Sequence, residues 1–173
     1  MKVLNEITYL SQRDERWSKT QINDCLSTVG RTGCTITCLS MLTDYYDCYL
    51  PPDVIAQNTK WIRGGNVWWI YLDFPTFSFR WREGNPYQSV PVDMDMIRAY
   101  MKNPDKAVLL EVANHSHWVV ACWETFDEDI LVIDPWTGRS CDVLKTYGNI
   151  TGAALFVKGK ATTRLKPIAP DYD

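Results

Sequence analysis

The chain has 173 residues, 46% of them hydrophobic, with a formal net charge of −3 and a pI near 5.4. That is enough apolar material for one packed domain and too much for disorder by composition. No Lys/Arg block marks a nucleic-acid face, and no apolar stretch approaches a membrane span.

In chain order, Met1–Glu6 lacks the uninterrupted apolar core of a signal peptide. The expectation is a chain made and kept in the cytoplasm, or released to the cell wall without a Sec signal. Residues 1–30 read as irregular, with Ile7 and Tyr9 hinting at a short strand. Cys34–Tyr46 reads as the main helix, because Ile36, Leu39, Leu42 and Tyr46 recur at three- and four-residue spacing. Pro51-Pro52-Asp53 is a helix-start signal for a short helix over Val54–Lys60, and Gly64-Gly65 breaks the chain. Phe77, Phe79 and Trp81 alternate with polar neighbours and predict a strand. Asp93 is placed to cap a helix through Met94, Ile97 and Met101, which Asn103-Pro104-Asp105 ends. Ala107–Val112, His117–Trp123, Ile130–Asp134 and Ala153–Val157 predict strands, with a polar turn at Phe126–Asp129 making a hairpin of the middle two. Helices first and then a mostly antiparallel sheet define an α+β layout. Residues 1–159 form the expected domain, and residues 160–173 the expected tail or linker stub.

Six cysteines occur: Cys25, Cys34, Cys38, Cys48, Cys122 and Cys141. Without a secretion signal, free thiols are the expectation, with Cys38, Cys48, Cys122 and Cys141 as buried structural residues. Cys34 differs because a small-residue turn, Thr32-Gly33, opens its helix there. A thiol in the first turn of a helix faces unpaired N–H groups and the positive end of the macrodipole, and both favour the nucleophilic thiolate. Downstream stand His117 and Asp134. The predicted hairpin sets them within about two residues of facing each other. One ring nitrogen of His117 would then meet Asp134 and the other Cys34: a nucleophile, a base and an orienter. Gln12 can aim a side-chain N–H, beside the backbone N–H of Cys34, at a developing oxyanion.

Four motifs stand in a fixed order: Gln12-x-Asp14-x-x-Trp17, Gly33-Cys34, His117-Trp118-Val119-Val120 and Asp134-Pro135-Trp136-x-Gly138. Together they resemble papain-like cysteine peptidases, nearest the stand-alone relatives of the bacteriocin-leader-processing peptidases that cleave after double glycine. The resemblance spans about Tyr9 to Val157. It implies a papain-like fold, with N-terminal helices packed on the sheet. It matches Cys34 to the nucleophile, His117 to the base, Asp134 to the orienter and Gln12 to the oxyanion glutamine. Gly33, Thr35, Trp118 and Trp136 become candidate substrate-binding residues, and Asp14 and Trp17 structural ones. Thr35 departs from the small residue that many relatives carry after the nucleophile, and the aromatic segment 66–87 has no obvious counterpart.

His115, a strand period from His117, is the competing base. His115, His117, Cys34 and Cys38 could be drawn as a zinc set, but the two cysteines lack the spacing of structural zinc sites, and no metal or cofactor is expected. The expected activity is hydrolysis of peptide bonds by a monomer. Its substrate would be a peptide or a peptidoglycan stem peptide, as in bacterial or phage lytic proteins. The alternatives are a catalytically silent peptide-binding module of the same fold and an acyl- or amidotransferase using the same residues.

Overall fold

The computed structural model describes residues 6–84 and 91–160. The α+β reading holds, with short helices and a sheet that is antiparallel throughout. Among the described residues, no helix is long and apolar enough to cross a membrane.

Helices α1 (Val29–Thr32), α2 (Cys34–Tyr45) and α3 (Pro52–Ala56) come first. A two-residue ribbon, β1 (Ile62–Arg63) and β2 (Asn66–Val67), follows, and then a single 3-10 turn at Trp69–Tyr71. The main sheet contains β3 (Phe77–Glu83), β4 (Lys106–Val112), β5 (His117–Glu124), β6 (Ile130–Asp134), β7 (Arg139–Asp142) and β8 (Gly152–Lys158). Its order is β3-β8-β4-β5-β6-β7. Helix α4 (Met94–Met101) precedes β4, and α5 (Val143–Tyr147) follows β7.

Strand alternation divides the core. Leu109, Val120, Cys122, Ile133, Ala154 and Phe156 face α2, whose Ile36, Leu39, Met41 and Leu42 pack on them. Val108, Leu110, Val119, Ala121, Val132 and Leu155 face the other way, onto Ile97, Tyr100 and Met101 of α4 and Val143 of α5. Each fully buried Leu or Ile contributes about 1.5–3 kcal/mol by leaving water, so α2 is held by its stripe rather than by local propensity. Asp93 caps α4 as expected, accepting from the Met96 N–H at 2.9 Å.

The differences from the sequence reading are local. Ile7 and Tyr9 form no strand, and α1 closes the stretch expected to be irregular. Helix α3 stops at Ala56 instead of reaching Lys60, because the Asn58 side chain accepts from the N–H groups of Lys60 and Trp61 and turns the chain. β7 and α5 were not anticipated. In the aromatic segment, Phe74 and Phe77 are buried and stacked with centroids 4.4 Å apart, whereas Trp68 and Ile70 are exposed. Its residues 85–87, and the tail from residue 161, lie outside the described residues. All six cysteines are free; Cys48 and Cys141, expected to be buried, are only half-buried.

Candidate active site

Cys34 is the first residue of α2, and no acidic side chain stands in that turn to oppose a thiolate. Gly33 before it has an ordinary φ of −87°, so its need for glycine is steric. A Cβ there would lie 2.5 Å from the Val29 carbonyl oxygen and 2.7 Å from Val29 Cα. On that side Gly33, a candidate substrate-binding residue in the sequence reading, packs against α1.

His117 opens β5 and Asp134 ends β6. Val120 pairs with Ile133, so Asp134 lies opposite Val119, two residues from His117. A bulge between Ala121 and Trp123 sets that register. His117 Nε2 meets Asp134 Oδ1 at 2.7 Å. That leaves Nδ1 for Cys34, whose thiol the neighbouring His117 pulls down. By strand parity His117 and Asp134 lie on the α4–α5 side, while Cys34 comes from the α2 side. The three therefore meet over the ends of the strands.

Each group is shifted in the sense that chemistry at a thiol requires. Burial pushes the Cys34 thiol up, but the hydrogen bond and charge of His117, the Trp118 backbone N–H and the Thr35 hydroxyl outweigh it, and the net shift is downward. Burial opposes a charged His117, yet hydrogen bonds to Asp134 and Cys34 raise it to about 9. Burial also pushes Asp134 up, and donation from His117, Tyr147 and the Trp136 N–H holds it below the usual carboxylate range. Both shifts favour the charged forms of sulfur and imidazole, with Asp134 as the carboxylate partner. Cys38, one turn further along α2, has the opposite fate. Burial, Cys34 and Asp134 push its thiol well up, and its S–H donates to the Trp118 carbonyl at 3.4 Å.

The Gln12 motif is a turn built to present one side chain. Asp14 accepts from the Arg16 N–H, and the Trp17 indole N–H donates to the Ser11 carbonyl at 2.8 Å. Trp17 is buried and anchors the turn. The Gln12 backbone N–H donates to the Pro135 carbonyl at 2.8 Å, beside Asp134. Gly138 (φ +67°) lets the β6–β7 loop close onto Ser11, where a Cβ would meet Ser11 Cβ at 3.0 Å. The Gln12 side chain is buried; its Nε2 donates one hydrogen to the Gly30 carbonyl at 3.3 Å, and its Oε1 has no partner among the described residues. The second hydrogen of that amide is left to donate. Gln12→Ala is expected to lower kcat by about 10²–10³-fold with little change in KM, measured by steady-state turnover of a cleavable peptide.

The other candidates fall in different places. Thr35 Oγ1 lies 3.9 Å from the Cys34 sulfur. Trp118 is buried, packed against Trp69 at 5.2 Å with the Arg82 guanidinium 5.0 Å over its ring, so it reaches Cys34 through its backbone. Trp136 is half-exposed beneath Arg13. His115 is not part of the group. It sits in a left-handed turn (φ +66°) and its Nδ1 meets the buried Glu111 at 2.9 Å, with Arg82 on the other carboxylate oxygen. His115 and His117 are thus each held by a different carboxylate, which separates the zinc set.

Tyr147 was missed. Its hydroxyl donates to Asp134 Oδ2 at 2.7 Å, and its ring lies 5.8 Å from that of His117. It belongs to α5, which is docked by the buried Asp129: that carboxylate accepts from the N–H groups of Ile130, Leu144 and Lys145. No spacing rule links Asp129, Asp134 and Tyr147.

A comparison with family models, curated proteins and solved structures found no match.

Proposed function

We propose that this protein is a cysteine peptidase of papain-like fold, similar to the stand-alone relatives of the bacteriocin-leader-processing peptidases. The observation that carries the reading is the juxtaposition of a helix-tip thiol, pulled below its ordinary value by His117, with the 2.7 Å contact between His117 and Asp134. Gln12 adds an amide donor fixed to the same loop as Asp134.

In this reading the Cys34 thiolate attacks a peptide carbonyl and forms the C–S bond. The carbonyl oxygen takes the negative charge and accepts from the Gln12 amide and the Cys34 N–H. Collapse breaks the C–N bond as His117 gives its proton to the leaving amine. Neutral His117 then takes a proton from water, and the hydroxide attacks the thioester. The acid leaves, and the thiolate–imidazolium pair returns. Asp134 holds the imidazole in one orientation throughout and stabilises its charged form.

The substrate class we propose is peptide, with the stem and cross-bridge peptides of bacterial peptidoglycan first. Purified protein incubated with purified cell walls should clear them and release new amino termini, read by mass spectrometry. Intact walls together with cleavage of double-glycine peptides would move the substrate to leader-type sequences. No new amino terminus from either would remove the peptidase reading.

A further inference from the structure

We propose that Tyr147 is a positioning residue that acts on the reacting groups through Asp134, completing a chain Tyr147–Asp134–His117–Cys34; this rests on the peptidase reading of those last three residues. The carboxylate of Asp134 is almost enclosed, and its two oxygens have different partners. Oδ1 accepts from His117 and from the Trp136 N–H at 2.8 Å. Oδ2 accepts from Tyr147 at 2.7 Å. A carboxylate bound on one oxygen alone can turn about Cβ–Cγ and carry His117 with it; a donor on the other oxygen stops that rotation. Removing the donor also leaves a buried, charged oxygen unpaired, which favours the protonated acid.

The placement of Tyr147 is built into the fold. It ends α5, where Gly148 (φ +79°) lets the chain turn away. The start of α5 is fixed by Asp129, whose carboxylate takes the Leu144 and Lys145 N–H groups at 2.8 and 3.1 Å. The hydroxyl itself stays protonated and a donor, because burial and the Asp134 charge push its ionisation upward. Around Asp134 the other titratable and charged groups are His117 on β5, Cys34 and Cys38 on α2, and Arg139 and Cys141 on β7. Arg139 is paired with Asp134 in the strand register and is exposed. Tyr147 is a neutral donor bonded directly to Asp134, and replacing it with phenylalanine changes no formal charge.

The test follows the rate of Cys34 alkylation by iodoacetamide from about pH 4 to about pH 8, mapped by peptide mass, since thiolate content sets that rate. In Tyr147→Phe the acid limb is expected to move up by about one unit, the equivalent of one hydrogen bond to a charged group. On the acid side the rate falls by about tenfold relative to wild type. In the Asp134→Asn background, Tyr147→Phe is expected to move nothing further. Superimposable profiles of wild type and Tyr147→Phe would overturn the proposal. So would an equal shift with and without Asp134, because that is the additive behaviour of a structural residue. Wild-type Cys34 that fails to react faster than the other cysteines would remove the peptidase reading and this proposal with it, an outcome distinct from the first two. A second measurement needs no variant. With labelled tyrosine in the native chain, the Tyr147 hydroxyl proton should give a downfield, slowly exchanging NMR signal at neutral pH that is lost as Asp134 protonates. Its absence would count against the proposal.

Discussion

Replacing Cys34 with alanine is expected to abolish peptide hydrolysis, by at least about 10⁴-fold in kcat, because in this account Cys34 is the group that forms the acyl intermediate. The neighbouring thiol does not substitute. Cys38 is fully buried, its S–H is held by the Trp118 carbonyl, and burial beside Cys34 and Asp134 keeps it protonated. The fold should survive. Cys34 stands at the helix tip rather than in the middle of the α2 stripe, and alanine is a better helix former than cysteine. Circular dichroism and thermal melting close to wild type, with no turnover, is the expected pair of results. Surviving turnover would show that the bond is broken elsewhere.

Replacing His117 with alanine should lower turnover by about 10²–10⁴-fold, and it should also change the pH dependence. Two ionisations bound the active window in the wild type. Cys34 is held below its ordinary value, so its thiolate is lost only as the pH falls through that depressed value. His117 is raised to about 9, so the proton it must give to the leaving amine is lost as the pH rises through about 9. Turnover should therefore follow a bell, low on the acid side because the sulfur is protonated and low on the alkaline side because the imidazole is not. In His117→Ala the alkaline limb disappears and the acid limb moves up. Cys34 keeps the burial that pushes it up and loses the group that pulled it down, so residual activity should rise with pH instead of passing through a maximum.

Much of the site could be read from the sequence because its parts sit on strongly patterned elements. The three- and four-residue spacing from Ile36 to Tyr46 marks α2, and hence the tip that carries Cys34. The apolar runs on both sides of Phe126–Asp129 mark the hairpin that faces His117 towards Asp134. What stayed hidden depends on contacts between distant residues. α5 spans Val143–Tyr147, too short to show a helical period, and its starting N–H groups are satisfied by Asp129, fifteen and sixteen residues away from the residues it binds. β7 has no buried residue to give it a two-residue alternation. Tyr147 was invisible for both reasons. Gly33 illustrates a different limit: its residue type was noticed, but the Val29 backbone that demands glycine comes into contact only once α1 folds back. His115 and His117 look alike in the sequence; Glu111 and Asp134 tell them apart in space.

The central claim is that His117 makes Cys34 a nucleophile, and native labelling tests it without knowledge of the substrate. Folded protein is treated with iodoacetamide at about pH 6, where ordinary thiols are almost wholly protonated, and each of the six cysteines is followed by peptide mass. The account predicts rapid labelling at Cys34 alone, lost in His117→Ala. Equally slow labelling at all six cysteines, or rapid labelling of Cys34 that persists without His117, would contradict it.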